Sequence, residues 1–256
     1  MDELDHFIDN AFSLVMSGYY ATRETRTAPV RSLRSSIASG DRMPVIAEFK
    51  RRTPSVKDVS SDADITERLT AFAEAGVCGF SILTEPHRFD GSLENLAAAS
   101  AFGLPVIMKD FVIATDQVDA AYRLGADAVL LIMDIFGRSR FNLDVLMEDI
   151  HTAGMEAILE VNSSKQFAAA METETDIIGI NNRNLSDLSL DEGRTARVLS
   201  EVAKDRPVLG MSGITDPRQV TVMLDAGADA VLIGTSLMGA GTPLLNDIRE
   251  AVRRRK

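Results

Sequence analysis

A short phrase recurs along this chain: Pro-Val, another apolar residue, then an abrupt change of character. It occurs as Arg42-Met-Pro-Val-Ile-Ala-Glu48, Gly103-Leu-Pro-Val-Ile-Met-Lys109 and Asp205-Arg-Pro-Val-Leu-Gly-Met211. A second set of apolar runs follows a glycine: Gly76-Val-Cys-Gly-Phe-Ser-Ile-Leu83, Gly125-Ala-Asp-Ala-Val-Leu-Leu-Ile132 and Gly227-Ala-Asp-Ala-Val-Leu-Ile-Gly234. Pro105 to Pro207 and Gly125 to Gly227 keep the same offset, so two half-chains are built alike. Short apolar runs rich in branched residues read as buried strands. The segments between them have helical spacing. Alternating strands and helices require parallel strands joined by crossover helices.

The expected strands lie over 45–48, 79–83, 106–109, 128–132, 156–161, 177–181, 208–211 and 230–233. The expected helices lie over 64–74, 93–102, 115–124, 142–153, 191–203 and 243–254, with further ones capped by Ser163 and by Asp216 before Pro217. Eight strand–helix pairs in 256 residues fit a closed (β/α)₈ TIM barrel. An open doubly wound sheet is the alternative. Leu4, Phe7, Ile8, Ala11, Phe12 and Val15 mark an amphipathic helix, and a second helix is expected over 30–38. Residues 1–256 therefore read as one barrel domain, with 1–42 as an N-terminal helical extension. The polar stretch Arg23-Glu-Thr-Arg-Thr-Ala-Pro29 between the two helices reads as mobile.

Charge and composition exclude several classes. A net charge of −11 argues against a nucleic-acid surface, and the basic run Arg253-Arg-Arg-Lys256 reads as a solvated helix end. The single cysteine, Cys78, cannot pair within the chain and reads as a small buried hydrophobe in a reducing compartment. With neither a secretion signal nor an apolar span, the chain reads as cytoplasmic and off the membrane. His6, His87 and His151 lack ligand spacing, so no metal is expected.

In such barrels the reactive groups sit at the C-terminal ends of the strands. Those ends carry Glu48 and Lys50, Thr84 and Glu85, Lys109 and Asp110, Asp134, Glu160 and Asn162, Asn181 and Arg183, Ser212 and Gly213, and Gly234, Thr235 and Ser236. Alone, Glu48 and Lys50 would read as a salt-bridged strand end. Three cations concentrated at one rim of an acidic chain instead point to an anion site. Gly213, Gly234 and Thr235 stand where these barrels hold phosphate: glycine lets backbone N–H groups approach, and a short helix from Thr235 would direct its dipole at the anion. Phe49, Phe89, Phe111 and Leu130 are the candidates for an apolar wall, Phe89 most of all because it lies in a polar loop.

Six longer motifs carry a family resemblance. They are Ala47-Glu-Phe-Lys-Arg-Arg-Thr-Pro-Ser55, Leu83-Thr-Glu-Pro86 with Phe89-Asp-Gly-Ser92, Met108-Lys-Asp-Phe111, Leu159-Glu-Val-Asn162, Gly179-Ile-Asn-Asn-Arg-Asn-Leu185 and Ile233-Gly-Thr-Ser-Leu-Met238. In order and along the whole chain, they resemble indole-3-glycerol-phosphate synthase. The resemblance implies a (β/α)₈ barrel whose N-terminal helices partly cover the mouth. It implies cyclisation of 1-(2-carboxyphenylamino)-1-deoxyribulose 5-phosphate to indole-3-glycerol phosphate with loss of CO₂ and water, without cofactor or metal. It also implies the site. Lys109 is the general acid, and Lys50 binds phosphate or carboxylate and serves as a second acid. Glu48 and Glu160 are the candidate bases, and Asn181 and Arg183 position the intermediate. Gly213, Gly234 and Thr235 bind phosphate, with Thr53 and Ser212 as further substrate contacts. Phe89, Phe111, Leu130, Leu185 and Leu232 line the anthranilate pocket. Association with other tryptophan-pathway enzymes is a further implication.

Three positions depart from the family pattern. Thr53 stands where Ser is usual, Val56 where Gly is usual, and Met211 where a Glu precedes Ser-Gly. Two rival readings use the same residues. A Schiff-base aldolase would also carry a lysine at a strand end, and would be trapped by borohydride. A non-catalytic phosphate-binding barrel would fit a decayed site, but Glu48, Lys50, Lys109 and Glu160 are all retained.

Overall fold

The computed structural model describes residues 2–54, 64–138 and 141–255. Ser55 and Val56 lie outside the described residues.

Eight parallel strands close on themselves in sequence order: β1 (Met43–Phe49), β2 (Val77–Leu83), β3 (Val106–Lys109), β4 (Ala128–Ile132), β5 (Glu156–Val161), β6 (Ile177–Asn181), β7 (Val208–Met211) and β8 (Ala230–Ile233), with β8 pairing back to β1. The barrel expectation holds, and the open sheet is excluded. Alternation along each strand divides the core in two. On β1, Val45, Ala47 and Phe49 join the layer between strands and helices, while Ile46 packs inside the barrel with Ile107, Leu130, Ile158 and Leu209.

The Gly-Ala-Asp repeat has a structural reason. Asp127 Oδ2 accepts the Val106 N–H at 3.0 Å, and Asp229 Oδ2 accepts the Val208 N–H at 2.7 Å. Each aspartate thus satisfies the first donor of the preceding strand, β3 or β7, and sets where it starts. Asp176 Oδ2 accepts the second donor of β5, the Ala157 N–H, at 2.9 Å. These are the strand ends away from the mouth.

Two helices precede the barrel. Helix α1 (Glu3–Met16) begins at Asp2, whose carboxylate caps Asp5 in a reciprocal pair. Its Leu4, Phe7 and Ala11 lie against the interior at the mouth. Helix α2 (Leu33–Ala38) is shorter than expected and closes the opposite end. Ser36 Oγ donates to the Cys78 carbonyl at 2.6 Å, and Arg34 pairs with Asp176 at 2.9 Å. Leu33 sits so close to β2 that a side chain on Gly79 would meet its Cδ1 at 3.1 Å. Only α1 therefore covers the mouth, which corrects the expectation for both helices.

The segment between them is tied down where mobility was expected. Arg26, whose side chain is 4% exposed, pairs with the fully buried Asp127 at 2.5 Å, and the Arg31 N–H donates to the same carboxylate at 2.9 Å. The guanidinium also lies over the Tyr122 ring, 5.6 Å from its centroid. An arginine in a polar stretch carries no local sign of its partner a hundred residues away.

Two further local differences matter for the site. A short helix, Met133–Arg138, directly follows β4, and the helix after β6 is only Arg194–Glu201. The chain before the latter folds into a small hairpin in which Arg183 pairs with Leu190.

Candidate active site

A cavity of about 340 Å³ opens at the C-terminal ends of the strands beneath α1. It is lined by Glu48, Lys50, Thr53, Phe89, Lys109, Phe111, Glu160, Asn181, Arg183, Leu185, Ser212, Gly213, Leu232, Gly234 and Thr235. The expected residues from seven strands and their loops thus converge on one space. Leu130 does not reach it. It is fully buried one layer down inside the barrel, and Ile132, two residues further along β4, takes the lining position. Phe49 points the other way, into the layer between strands and helices, with the Arg51 guanidinium 5.3 Å from its ring centroid. Strand parity explains both corrections: residues two apart share a face but differ in depth, and neighbours face opposite ways.

One polar cluster joins the ends of β3, β5 and β6. Glu160 Oε1 accepts from Asn181 Nδ2 at 2.7 Å, and Asn181 Oδ1 in turn accepts the Arg183 N–H at 2.9 Å. Among the described residues Glu160 Oε2 has no hydrogen-bond partner, and it lies 3.9 Å from Lys109 Nζ. Burial pushes the Glu160 carboxyl above the usual glutamate range; Lys109 and the Asn181 hydrogen bond pull it back by less. The side-chain nitrogen of Lys109 and a carboxyl oxygen of Glu160 therefore face each other without a hydrogen bond between them.

Glu48 is placed differently. Its Oε1 accepts from Lys50 Nζ at 2.7 Å. Both lie against Gly234, where a side chain would collide with Glu48 and bring its Cβ to 3.1 Å from Lys50 Nζ. Glycine is needed there for the close approach. Lys50 thus stands over the start of the helix Thr235–Ala240, whose first N–H groups have no partner within the helix. Across from it, Ser212 and Gly213 are both left-handed, with φ of 69° and 79°. A serine there is strained backbone, a common mark of functional loops. Ser236 Oγ donates to the Ile214 carbonyl at 2.6 Å and ties the two loops together.

At the apolar end, the Phe111 ring stacks on Phe7 of α1 at 4.4 Å, and Phe89 tilts against both at 5.9–6.0 Å. Phe7, Ile132, Leu188 and Leu190 were missing from the expected wall. Phe7 was visible as part of an apolar helix face, but no local signal says which end of the barrel that face covers. Leu188 has a left-handed φ of 61°, held by Arg183 Nη1 on its carbonyl at 2.7 Å. Arg183 therefore spends one donor on its own loop while its side chain lines the cavity. Met211 is 1% exposed and reaches over Gly179, where its Cε would lie 2.6 Å from an added Cβ. It fills space that Gly179 leaves, as a flexible thioether can.

Sequence and fold relatives agree with this geometry. The family model described as indole-3-glycerol phosphate synthase matches residues 15–253. A protein of that name from Methanopyrus kandleri is 39% identical over 90% of this chain and 89% of its own. Another, from Sulfurisphaera tokodaii, is 37% identical over 84% of this chain and 87% of its own. A multifunctional tryptophan biosynthesis protein of Phanerodontia chrysosporium is 38% identical over 77% of this chain, which spans 26% of that longer protein. Among barrels of known structure, a thiamine phosphate pyrophosphorylase from Pyrococcus furiosus superposes with a TM-score of 0.62 at 15% identity, over 87% of this chain and 98% of its own, and shares the fold alone. With a family model spanning nearly the whole barrel and its motifs gathered around one cavity, the chain belongs to the indole-3-glycerol phosphate synthase family.

Proposed function

We propose that Lys109 and Glu160 are the acid and base with which this chain carries out its family's reaction. Membership makes the chain a decarboxylating carbon–carbon lyase of tryptophan biosynthesis that acts on a phosphorylated small molecule. The observation that carries the assignment is the unpartnered, buried Glu160 Oε2 facing Lys109 Nζ at 3.9 Å.

The ring carbon bearing the carboxylate bonds to the carbonyl carbon of the ribulose chain. Negative charge develops on the carbonyl oxygen, and the Lys109 ammonium donates its proton there. CO₂ then leaves, and the electrons of the broken bond restore the aromatic ring. The new hydroxyl departs as water with a second proton. A base removes the proton that completes the indole double bond. Glu160 suits this step, because its free oxygen is desolvated and so more basic. Glu48 is engaged by Lys50, and the pair fits the phosphate end with Gly213, Gly234 and Thr235. Phe7, Phe89 and Phe111 form the aryl end. Asn181 orients Glu160.

The test is incubation with 1-(2-carboxyphenylamino)-1-deoxyribulose 5-phosphate while following indole fluorescence. Lys109→Ala is expected to lower kcat by about 10²–10⁴-fold while keeping KM. A kcat equal to wild type at saturating substrate would remove Lys109 from its role. Among the described residues no helix is long and apolar enough to cross a membrane. A cytoplasmic site is our reading, supported by the buried free thiol of Cys78. Association with other enzymes of the pathway is supported by the multifunctional relative and is tested by co-purification.

A further inference from the structure

One buried carboxylate has no part in the reaction just described. Glu85, two residues beyond the end of β2, is fully buried. Its Oε1 accepts the His87 N–H at 2.7 Å and Asn10 Nδ2 at 2.8 Å. Its Oε2 accepts the Arg88 N–H at 2.7 Å and the Phe89 N–H at 3.0 Å. Backbone donors gathered in this way form an anion nest, here filled by the chain's own side chain. Bonds from N–H groups to an ionised acceptor are stronger than neutral ones. The main chain adds to the grip, since the Glu85 carbonyl accepts the Gly91 N–H at 2.9 Å. A side chain on Gly91 would come within 2.5 Å of the Leu83 carbonyl.

What the nest holds is the aryl end of the cavity. Phe89 is its last donor, and Asn10 lies one turn along α1 from Phe7. The Phe89 carbonyl accepts the Arg52 N–H at 3.2 Å, so the loop after β1 leans on the same turn. We propose that Glu85 is a positioning residue: its carboxylate is the joint that seats α1 and the Phe89 loop together, and so sets the width of the aryl slot between Phe7, Phe89 and Phe111. This rests on the aryl end being where the substrate's ring binds.

Glu85→Gln keeps the shape but turns an NH₂ group towards donors, so one pair of bonds is lost. It is expected to raise KM for substrate about tenfold or more, since each of the two lost charge-assisted bonds is worth at least about that much, with kcat within about threefold. The inhibition constant of inorganic phosphate should not move, because that cradle lies between β7 and β8. Binding of 2-(carboxymethylamino)benzoate, a probe with an aryl end and no phosphate, should weaken in step with KM. Asn10→Ala removes only the α1 arm from a half-buried position, and should shift the same quantities in the same direction by less. Unchanged KM and probe affinity in both variants would overturn the proposal. So would loss of phosphate and aryl binding together, which is what general loosening of the fold would produce. Failure of wild type to form indole product would count against the reaction, whereas the aryl-probe comparison reads the slot directly.

Discussion

Glu160→Gln should separate catalysis from stability. The substitution keeps the side-chain shape and leaves an oxygen to accept from Asn181, but removes the charge and the free basic oxygen facing Lys109. Loss of a general base typically costs about 10²–10⁴-fold in rate, or about 2.7–5.4 kcal/mol of barrier. Stability should move the other way. A buried acceptor without a partner costs about 1–3 kcal/mol. Burial is also the dominant influence on this carboxyl and outweighs the attraction of Lys109. Because the folded pKa is raised, the cost is absent in acid, where the group is neutral in both states. It appears as pH rises through the unfolded pKa, near 4.3, and is complete above the raised folded value. At pH 7 the variant should therefore match wild type or gain Tm by about 2–4 °C per kcal/mol relieved, the range for chains of roughly this size. In acid the two melting curves should converge. Steady-state indole fluorescence gives kcat, and thermal melts at several pH values give the rest. A kcat within tenfold of wild type, or a Tm several degrees lower at pH 7, would refute the assignment of Glu160 as a desolvated base.

Three further outcomes follow from the same geometry. Thr235→Asp puts a negative charge at the exposed start of the helix Thr235–Ala240, and should raise KM and the phosphate inhibition constant far more than it lowers kcat; an unchanged KM would move the phosphate site elsewhere. Met211→Glu replaces a buried thioether packed over Gly179, and should cost about 1.5–3 kcal/mol of stability while changing kcat by less than about tenfold; an inactive wild type revived by this change would mean a damaged site rather than a self-sufficient one. Asp110 is fully buried among Thr84, Tyr20 and the Phe111 N–H, with burial pushing its carboxyl from 3.8 up to about 6. Wild type should thus lose about 3 kcal/mol as pH rises from about 4 to 6, and Asp110→Asn should show a flatter urea midpoint across that window; parallel pH profiles would sink this reading.

Much was legible from local pattern. Strand positions followed from the Pro-Val and Gly-Ala-Asp phrases and, for β5 and β6, from short apolar runs, and β3 to β8 begin and end where they were expected. Their regularity comes from burial on both sides, which imposes runs of branched apolar residues that few other structures tolerate. That Glu48, Lys50, Lys109, Glu160 and Asn181 would gather at one rim was legible because polar groups end several such runs at the same end of the barrel, and all five line the one cavity. Helix caps at Ser163 and Asp216 were equally local, since their hydrogen bonds span only a few residues.

Tertiary structure decided whatever depended on distance in space. The assignment of α1 to the mouth and α2 to the base, the anchoring of Arg26 on Asp127, and the stack of Phe7 on Phe111 join residues far apart in sequence. No periodicity encodes such partners. The exclusion of Leu130 in favour of Ile132 turned on depth along one strand face, which alternation alone leaves open. The difference in setting between Glu48 and Glu160, on which the proposed choice of base rests, lies in which carboxylate has a cation at hydrogen-bond distance. Lys50 reaches Glu48 at 2.7 Å, while Lys109 stops 3.9 Å from Glu160. Residue type sets what chemistry a side chain can perform; basicity depends on neighbours and water, and only the closed barrel determines those.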